Sequence, residues 1–283
     1  MTWGELALEH EPALRLGTFF GIFALMALWE VAAPRRASLF PRRARWSHNL
    51  ALVALNGLIV RLAFPVAAVG FAALAAERGW GLLNAFEVPA WAAIPASVIL
   101  LDLAIWLQHV MFHAVPVLWR LHRVHHADPD FDVTTGARFH PIEILLSMLI
   151  KLAVIAVLGA PAVAVLAFET ILNAAALFNH ANVRLPARVD RALRWFLVTP
   201  DMHRIHHSME LAEANSNFGF NLPWWDRLFG TYREAARLPQ ERMAIGVQGL
   251  TGRAECVRLP GLLALPFQGA GTDYAIGHGL EPG

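Results

Sequence analysis

Apolar runs fill most of residues 16–178, and no other feature narrows the fold so far. A chain that is 57% hydrophobic and 16% charged, with a mean hydropathy of +0.46, is too apolar for an ordinary soluble domain, so a bilayer is its natural solvent. A net charge of +1 supplies no basic face or stripe for nucleic acid. Length alone would allow two soluble domains, but the continuity of the apolar runs argues for one membrane domain. Cys256 stands alone, which rules out an internal disulfide framework and a cysteine-based zinc site and suits working parts that face a reducing cytosol.

Four or five membrane-spanning or re-entrant segments are expected. Leu16–Ala33 is apolar apart from Glu30 and is followed by Arg35, Arg36, Arg42, Arg43 and Arg45, which by the positive-inside rule puts its C-terminal end in the cytoplasm. Glu5, Glu9 and Glu11 ahead of it are unlike the basic start of a cleavable signal peptide. A second span, Leu52–Ala76, is interrupted by Arg61 and Pro65, and a third runs from about Pro89 to Leu107 into histidine-rich sequence. Ile144–Leu158 and Pro161–Phe178 form a pair broken at Gly159-Ala160-Pro161. Fifteen residues at about 1.5 Å each reach roughly 23 Å, short of a roughly 30 Å hydrocarbon core, so the pair is either tilted or a re-entrant hairpin. Either way the chain returns to the side it left, and His180 emerges beside the earlier histidines.

Those histidines carry the chemistry. Nine fall into four groups: His109 and His113; His122, His125 and His126; His180; and His203, His206 and His207. In a helix, positions three and four apart share a face, so H-x-x-x-H and H-x-x-H-H each aim imidazoles at one point. Neutral imidazole suits iron, zinc and copper, whereas magnesium and calcium call for oxygen. One group alone could be a pH-sensitive surface patch. Together they are too many for one ion, which takes four to six ligands, and about right for two. A zincin motif fails because Val110 stands where H-E-x-x-H needs glutamate. A calcium loop fails as well, because Asp128, Asp130 and Asp132 are followed by Val133 where the loop needs glycine and Phe139 where it needs glutamate.

The segments LHRVHH (121–126), FHPIE (139–143), FNHANVRLP (178–186), MHRIHH (202–207) and WDRLFGTY (225–232) together resemble the fatty acid hydroxylase and sterol desaturase superfamily of membrane di-iron enzymes. The resemblance covers about 95–235 and divides the chain into N-terminal membrane helices (1–94), the di-iron domain (95–235) and a C-terminal loop or interfacial tail (236–283). It implies an all-α polytopic membrane fold with a histidine-rich helical cap on the cytosolic side. It also implies two iron ions, for which zinc can substitute in recombinant protein, O2 as oxidant, and a separate electron donor of the ferredoxin or cytochrome type with its reductase. The substrate it implies is a fatty acyl, sterol or related lipid, hydroxylated or desaturated. Carried across position by position, the ligands are His109, His113, His122, His125, His126, His180, His203, His206 and His207. Some members have a further histidine four residues before the intermediate one, where this chain has Ala176. One coordination position therefore falls to water, His140 or a carboxylate. FHPIE and FNHANVRLP look most like the bacterial hydroxylase-like members, which favours hydroxylation.

Several residues outside the groups bear on the site. Asp102 lies seven residues before His109 on one helical face and is placed to orient a ligand, with a helix–helix hydrogen bond as the alternative. His140 precedes Pro141 at a helix start and is a candidate ligand or supporting donor, with Glu143 in the first turn where the dipole favours a negative charge. Lys151 and Glu169 sit on opposite limbs of one hairpin, spaced for structural pairing. His10, His48 and His278 have no partner at ligand spacing and read as solvated or interfacial. NLPWWDRLFGTYRE (221–234) reads as an amphipathic element at headgroup level, ended by Gly230, and LPGLLALPF (259–267) as part of a loop or interfacial lid. No dinucleotide fingerprint and no haem or iron–sulfur motif is present, so electrons come from a partner. Two other classes stay open on the residues alone: a non-redox metal-dependent hydrolase and a metal-binding membrane protein.

Overall fold

The computed structural model describes residues 2–269 and Ile276; His278 lies outside the described residues. Among the described residues all regular structure is helical, as hydrocarbon demands of a single chain whose backbone groups must be satisfied within each segment. The elements are α1 (Trp3–Glu9), α2 (Glu11–Ala32), α3 (Arg42–Ala63), α4 (Ala68–Glu77), α5 (Leu82–Ala85), α6 (Ala90–Ala114), α7 (Pro116–His126), α8 (Pro141–Leu158), α9 (Ala162–Asn179), α10 (Ala187–Leu193), α11 (Pro200–His206), α12 (Leu211–Ala214), α13 (Trp224–Leu228) and α14 (Leu259–Ala264). Five stretches are long and apolar enough to cross a membrane: α2, the run from Arg42 to Ala85, α6, α8 and α9.

The helices run alternately toward and away from one end of the molecule. The C-terminal ends of α2, α6 and α9 meet the N-terminal ends of α3 and α8 there, and α7 and α10–α14 form a cap over them. The second predicted span is really α3, which starts ten residues earlier than expected, and a separate short α4. The break at residues 64–67 contains Pro65, whose ring cannot continue the hydrogen-bond ladder. Opposite the cap, α8 turns into α9 through Gly159 in the left-handed conformation (φ 69°). A Cβ there would lie 2.5 Å from the Trp80 carbonyl oxygen, so only glycine lets the hairpin tip pack under the 80–84 segment.

The two largest of four hydrophobic clusters among the described residues divide the work. In the membrane part Leu101 and Ile105 of α6, Ile155 of α8 and Val165, Leu166 and Phe168 of α9 close around Ala68, Val69 and Ala72 of α4, whose small side chains let the helices approach. In the cap, Trp119 and Val124 of α7 pack with Leu52 of α3 and with Val247, Leu250, Leu262 and Leu265. The C-terminal segment, mostly loop as expected, thus contributes Val247, Leu250, Leu262 and Leu265 to the cap's interior. Its carbonyls at Leu265 and Gln268 accept from the Arg123 guanidinium, and the Cys256 carbonyl accepts from Arg138.

The arginine cluster after α2 has a second use. Arg45 is fully buried and donates to Asp128 (2.8 Å) and Asp132 (2.6 Å), Arg36 donates to the Gln240 and Met243 carbonyls, and Arg35 pairs with Asp201 and Glu241. The carboxylates that resembled a calcium loop are thus a socket for Arg45 and Arg138, and the charge of Arg45 holds Asp128 well below the usual carboxylate range despite burial. Glu30 accepts from the backbone N–H groups of both Val133 and Asn182 (2.7 Å each), so the first long helix is tied to two loops that carry histidines.

Candidate metal centre

The nine histidines converge from four elements. The last turns of α6 carry His109 and His113. Val115-Pro116 ends that helix and starts α7, which folds back so that His122, His125 and His126 face them. His180 caps the C-terminus of α9, and α11 brings His203, His206 and its C-cap His207 from the other side. All nine are buried. They form two groups, His109, His113, His122, His126 and His206, and His125, His180, His203 and His207, each with one ligand-capable atom per residue within 4.8 Å of the others.

The outer nitrogens show which way each ring points. His109 donates Nδ1–H to the Phe218 carbonyl (2.7 Å), His206 to Ser216 (2.8 Å), His180 to Ala176 (2.8 Å), His113 to the Asn215 amide oxygen (3.2 Å) and His122 to the Glu143 carboxylate (2.6 Å). With Nδ1 protonated, Nε2 is left as a lone pair turned inward. The inward nitrogens then face one another: His109 and His122 at 3.0 Å, His113 and His126 at 3.2 Å, and His180 with His125 at 3.1 Å and with His203 at 3.0 Å. Nε2 of His206 and both ring nitrogens of His207 have no hydrogen-bond partner. Lone pairs aimed at one another in a dry interior repel, and a cation between them removes the repulsion, so this donor set fits bound metal. Burial pushes His122 and His180 down to about 3 and His125, His126, His203, His206 and His207 well below their ordinary value, keeping the rings neutral and able to donate to a metal.

The supporting shell lies largely outside what the sequence motifs mark. Asn217 sits in the left-handed conformation (φ 53°), which turns the Ser216 and Phe218 carbonyls to opposite rings, His206 and His109. Its amide fixes the bend by bonding the Met202 and Arg233 carbonyls and the Arg233 N–H. Asp226 then clamps the segment, accepting from the N–H groups of Phe218 and Gly219 and from Trp106 and Thr231. The usable signal was asparagine's tolerance of this backbone region within SNFGFN (216–221). Glu143 sits in the first turn of α8, where the dipole favours its charge, and in addition accepts from His122.

Asp102 does not reach His109; it accepts from the Trp225 indole (2.8 Å) and so anchors α13 to α6. His140 stands outside both groups: its Nδ1 accepts from the Ile142 N–H as a helix cap, and its Nε2 faces the Leu263 carbonyl at 3.3 Å. Ala176 contributes its carbonyl to His180, and Gly136 packs so close that a Cβ would sit 2.4 Å from that carbonyl oxygen. Lys151 pairs with Glu169 (2.6 Å) as expected, and Arg15 joins them from α2 (2.8 Å). A cavity of about 500 Å³ runs between α2, α3, α6, α8 and α9, with His109 and His122 in its wall and apolar side chains such as Phe19, Ile105, Phe112 and Leu172 around it.

Fold and site together define a polytopic helical membrane protein with two adjoining imidazole clusters, one of which borders the cavity through His109 and His122. Residues 94–231 match the model of the fatty acid hydroxylase family. The chain is 26% identical over 264 residues to ornithine lipid hydroxylase of Rhizobium tropici, a match that takes in 92% of this chain and 77% of that one. It is 28% identical over 131 residues to alkylglycerol monooxygenase of Xenopus tropicalis, covering 46% and 28% of the two chains. With cholesterol 25-hydroxylase of Mus musculus it shares 26% identity over 162 residues, 56% of this chain and 52% of the other. No solved structure matches significantly. The family match, which takes in just under half of the chain, and these similarities together support a place in the fatty acid hydroxylase superfamily. The similarities support an oxidoreductase and are consistent with lipid hydroxylation, not with a hydrolase.

Proposed function

We propose that the protein is a di-iron lipid hydroxylase whose metals are held by His109, His113, His122, His126 and His206 on one side and by His125, His180, His203 and His207 on the other. The observation that carries this reading is the convergence of nine buried imidazoles into two groups at ligand distances, beside a cavity lined by His109 and His122. Iron, when bound, supplies the activation of O2 that no side chain can. The balanced reaction consumes a C–H bond, O2, two electrons and two protons and yields an alcohol and water, so a donor of the ferredoxin or cytochrome type must deliver the electrons.

The chain's own residues place and shield. Glu143 holds His122 in the tautomer that presents Nε2, and the Ser216 and Phe218 carbonyls do the same for His206 and His109. Phe139, stacked on His125 with centroids 4.4 Å apart, and Phe131 against His180 close the cage to water. The cavity brings a lipid chain to the His109 and His122 side. The relatives named above are called hydroxylase or monooxygenase and act on ornithine lipid, alkylglycerol and cholesterol by name, which supports a lipid substrate and hydroxylation over desaturation. We place the cap in the cytoplasm, where the electron donor can reach it.

Membranes holding the protein, given reductant under 18O2, are expected to yield a lipid heavier by one labelled oxygen, with the label absent in His206→Ala. A lipid that has lost two hydrogens and carries no label would replace hydroxylation by desaturation.

A further inference from the structure

Charge is distributed unevenly along the cavity. At its cage end the wall holds Glu143, bonded to His122, and away from the cage it holds two cations, Lys151 of α8 and Arg15 of α2. Lys151 is eight residues from Glu143 on α8, about 12 Å of helix. Lys151 donates to Glu169 (2.6 Å), and Arg15 donates through one nitrogen, Nη1, to both Glu169 (2.8 Å) and Glu11 (3.1 Å). These two carboxylates are not part of the cavity wall, and Glu169 keeps only 4% of its side chain accessible. The cations do line the cavity, with 12% of the Lys151 side chain and 31% of the Arg15 side chain accessible.

A charge inside a membrane span is costly, and one cation is enough to neutralise Glu169. Glu11 does not account for the second, because it is one turn away on the same helix and 25% accessible, and a partly exposed pair of that kind contributes little. Nor is Arg15 needed to tie α2 to the hairpin, since Met26 and Phe19 of α2 already pack with Leu177 of α9. What the pairing leaves over is a set of N–H donors on two positive groups along a largely apolar wall. Lys151 spends one of its three protons on Glu169, and Nε and Nη2 of Arg15 bond neither carboxylate. The partner that suits such donors is an oxyanion, which offers several lone pairs and a full negative charge.

We propose that Lys151 and Arg15 form an acid-binding subsite: the lipid carries an acidic group, a carboxylate or a phosphate, that pairs with them while its chain runs along the cavity to His109 and His122. This deepens the reading of the cavity as the lipid site and rests on it. The position of oxidation is then counted from the acid, about 12 Å along the wall, and not from the free end of the chain. Lys151 and Arg15 touch the lipid and no metal, so their contribution appears in affinity and in register.

The test is equilibrium binding to the full-length, metal-loaded protein in detergent, at a pH that ionises both acids, with three probes of one chain length: hexadecanoate, hexadecyl phosphate and hexadecanol. The two acids separate the sources of the anion, and the alcohol carries no charge. At least one acid is expected to bind about tenfold more tightly than the alcohol, as a charge-assisted hydrogen bond in a water-poor site would give. Lys151→Met and Arg15→Gln each leave Glu169 one cation, so the fold should persist; each should cut the preference to about threefold or less, and Lys151→Arg should keep it. Equal binding of all three probes by the unsubstituted protein overturns the proposal even if the variants fail to fold, and so does an undiminished preference in a folded Lys151→Met or Arg15→Gln. An acid that changes the visible spectrum of the bound iron, where the alcohol does not, sits on the metals and overturns it without any variant. Because the readout is binding, absence of turnover or of 18O incorporation would bear on the hydroxylase reading alone.

Discussion

At the scale of single residues, the cage is a set of orientations. Five of the rings, His109, His113, His122, His180 and His206, are aimed by what their outer nitrogens bond, so removing a ligand and removing its support have different signatures. His206→Ala is expected to cost the metal of the five-histidine group and His125→Ala that of the four-histidine group, each lowering the metal content by one ion per chain by elemental analysis while the protein stays folded. Glu143→Ala keeps all nine imidazoles and should weaken the first metal's affinity by about 10–100-fold, measured by chelator competition. Acid acts on the same groups. His122 and His180 titrate near 3 in the folded protein against an ordinary value of 6.5, so below pH 6.5 the unfolded chain binds protons that the folded chain refuses. Stability of the metal-free protein should therefore fall as pH drops from 6.5 toward 3, by about 1.4 kcal/mol per such histidine per pH unit, and bound metal should oppose the loss. Melting temperatures at pH 7.5, 6 and 5, with and without metal, check this; a flat profile would mean that the rings are hydrated.

The elements show what a sequence can and cannot convey. The histidine spacings and the hairpin at Gly159 were legible because one follows from helix periodicity and the other from a left-handed turn that suits glycine. Glu143 keeps its place in the first turn of α8 and also reaches His122, and Asp102 takes the helix–helix alternative by bonding Trp225, because a helical face gives direction but not which neighbour lies across from it. The socket for Arg45 was invisible, since 83 residues separate it from Asp128. The burial of the C-terminal segment was missed for a related reason. LPGLLALPF has the composition of an interfacial strip, and only the tertiary structure shows Leu262 and Leu265 fully buried against Trp119. That difference can be measured. Leu262→Ala is expected to cost about 2–5 kcal/mol, as for a buried leucine, where a residue in a loose lid would lose at most about 0.5 kcal/mol. Thermal or denaturant unfolding in detergent distinguishes the two, with Leu238→Ala, on an exposed leucine, as the reference.

For the whole molecule, the question is which way the cap faces. The parity of the helices puts every histidine group at one end, and exposed aromatics mark both ends: Trp80, Phe86 and Trp91 opposite the cap, and Trp195, Phe196, Trp224 and Phe229 around it. Trp91 and His109 are eighteen residues apart on α6, about 27 Å of helix, close to the thickness of a hydrocarbon core. These bands fix the depth of the protein in the bilayer but not its direction. The arginines of 35–45 speak to direction, yet Arg35, Arg36 and Arg45 are spent on internal partners, and the chain gains by keeping them on the cap side whatever the lipid prefers. Arg43 remains exposed, joined on that side by Arg184, Arg188 and Arg191, which restores the excess of basic charge. We therefore expect the cap in the cytoplasm. In a Cys256→Ser background, single cysteines at the exposed positions Arg188 and Glu210 on the cap should be protected from an impermeant thiol reagent in intact cells and labelled after lysis, and cysteines at Arg78 and Glu87 at the opposite end should show the reverse. Labelling of Arg188→Cys and Glu210→Cys from outside would place the cage, and any electron donor, on the other face of the membrane.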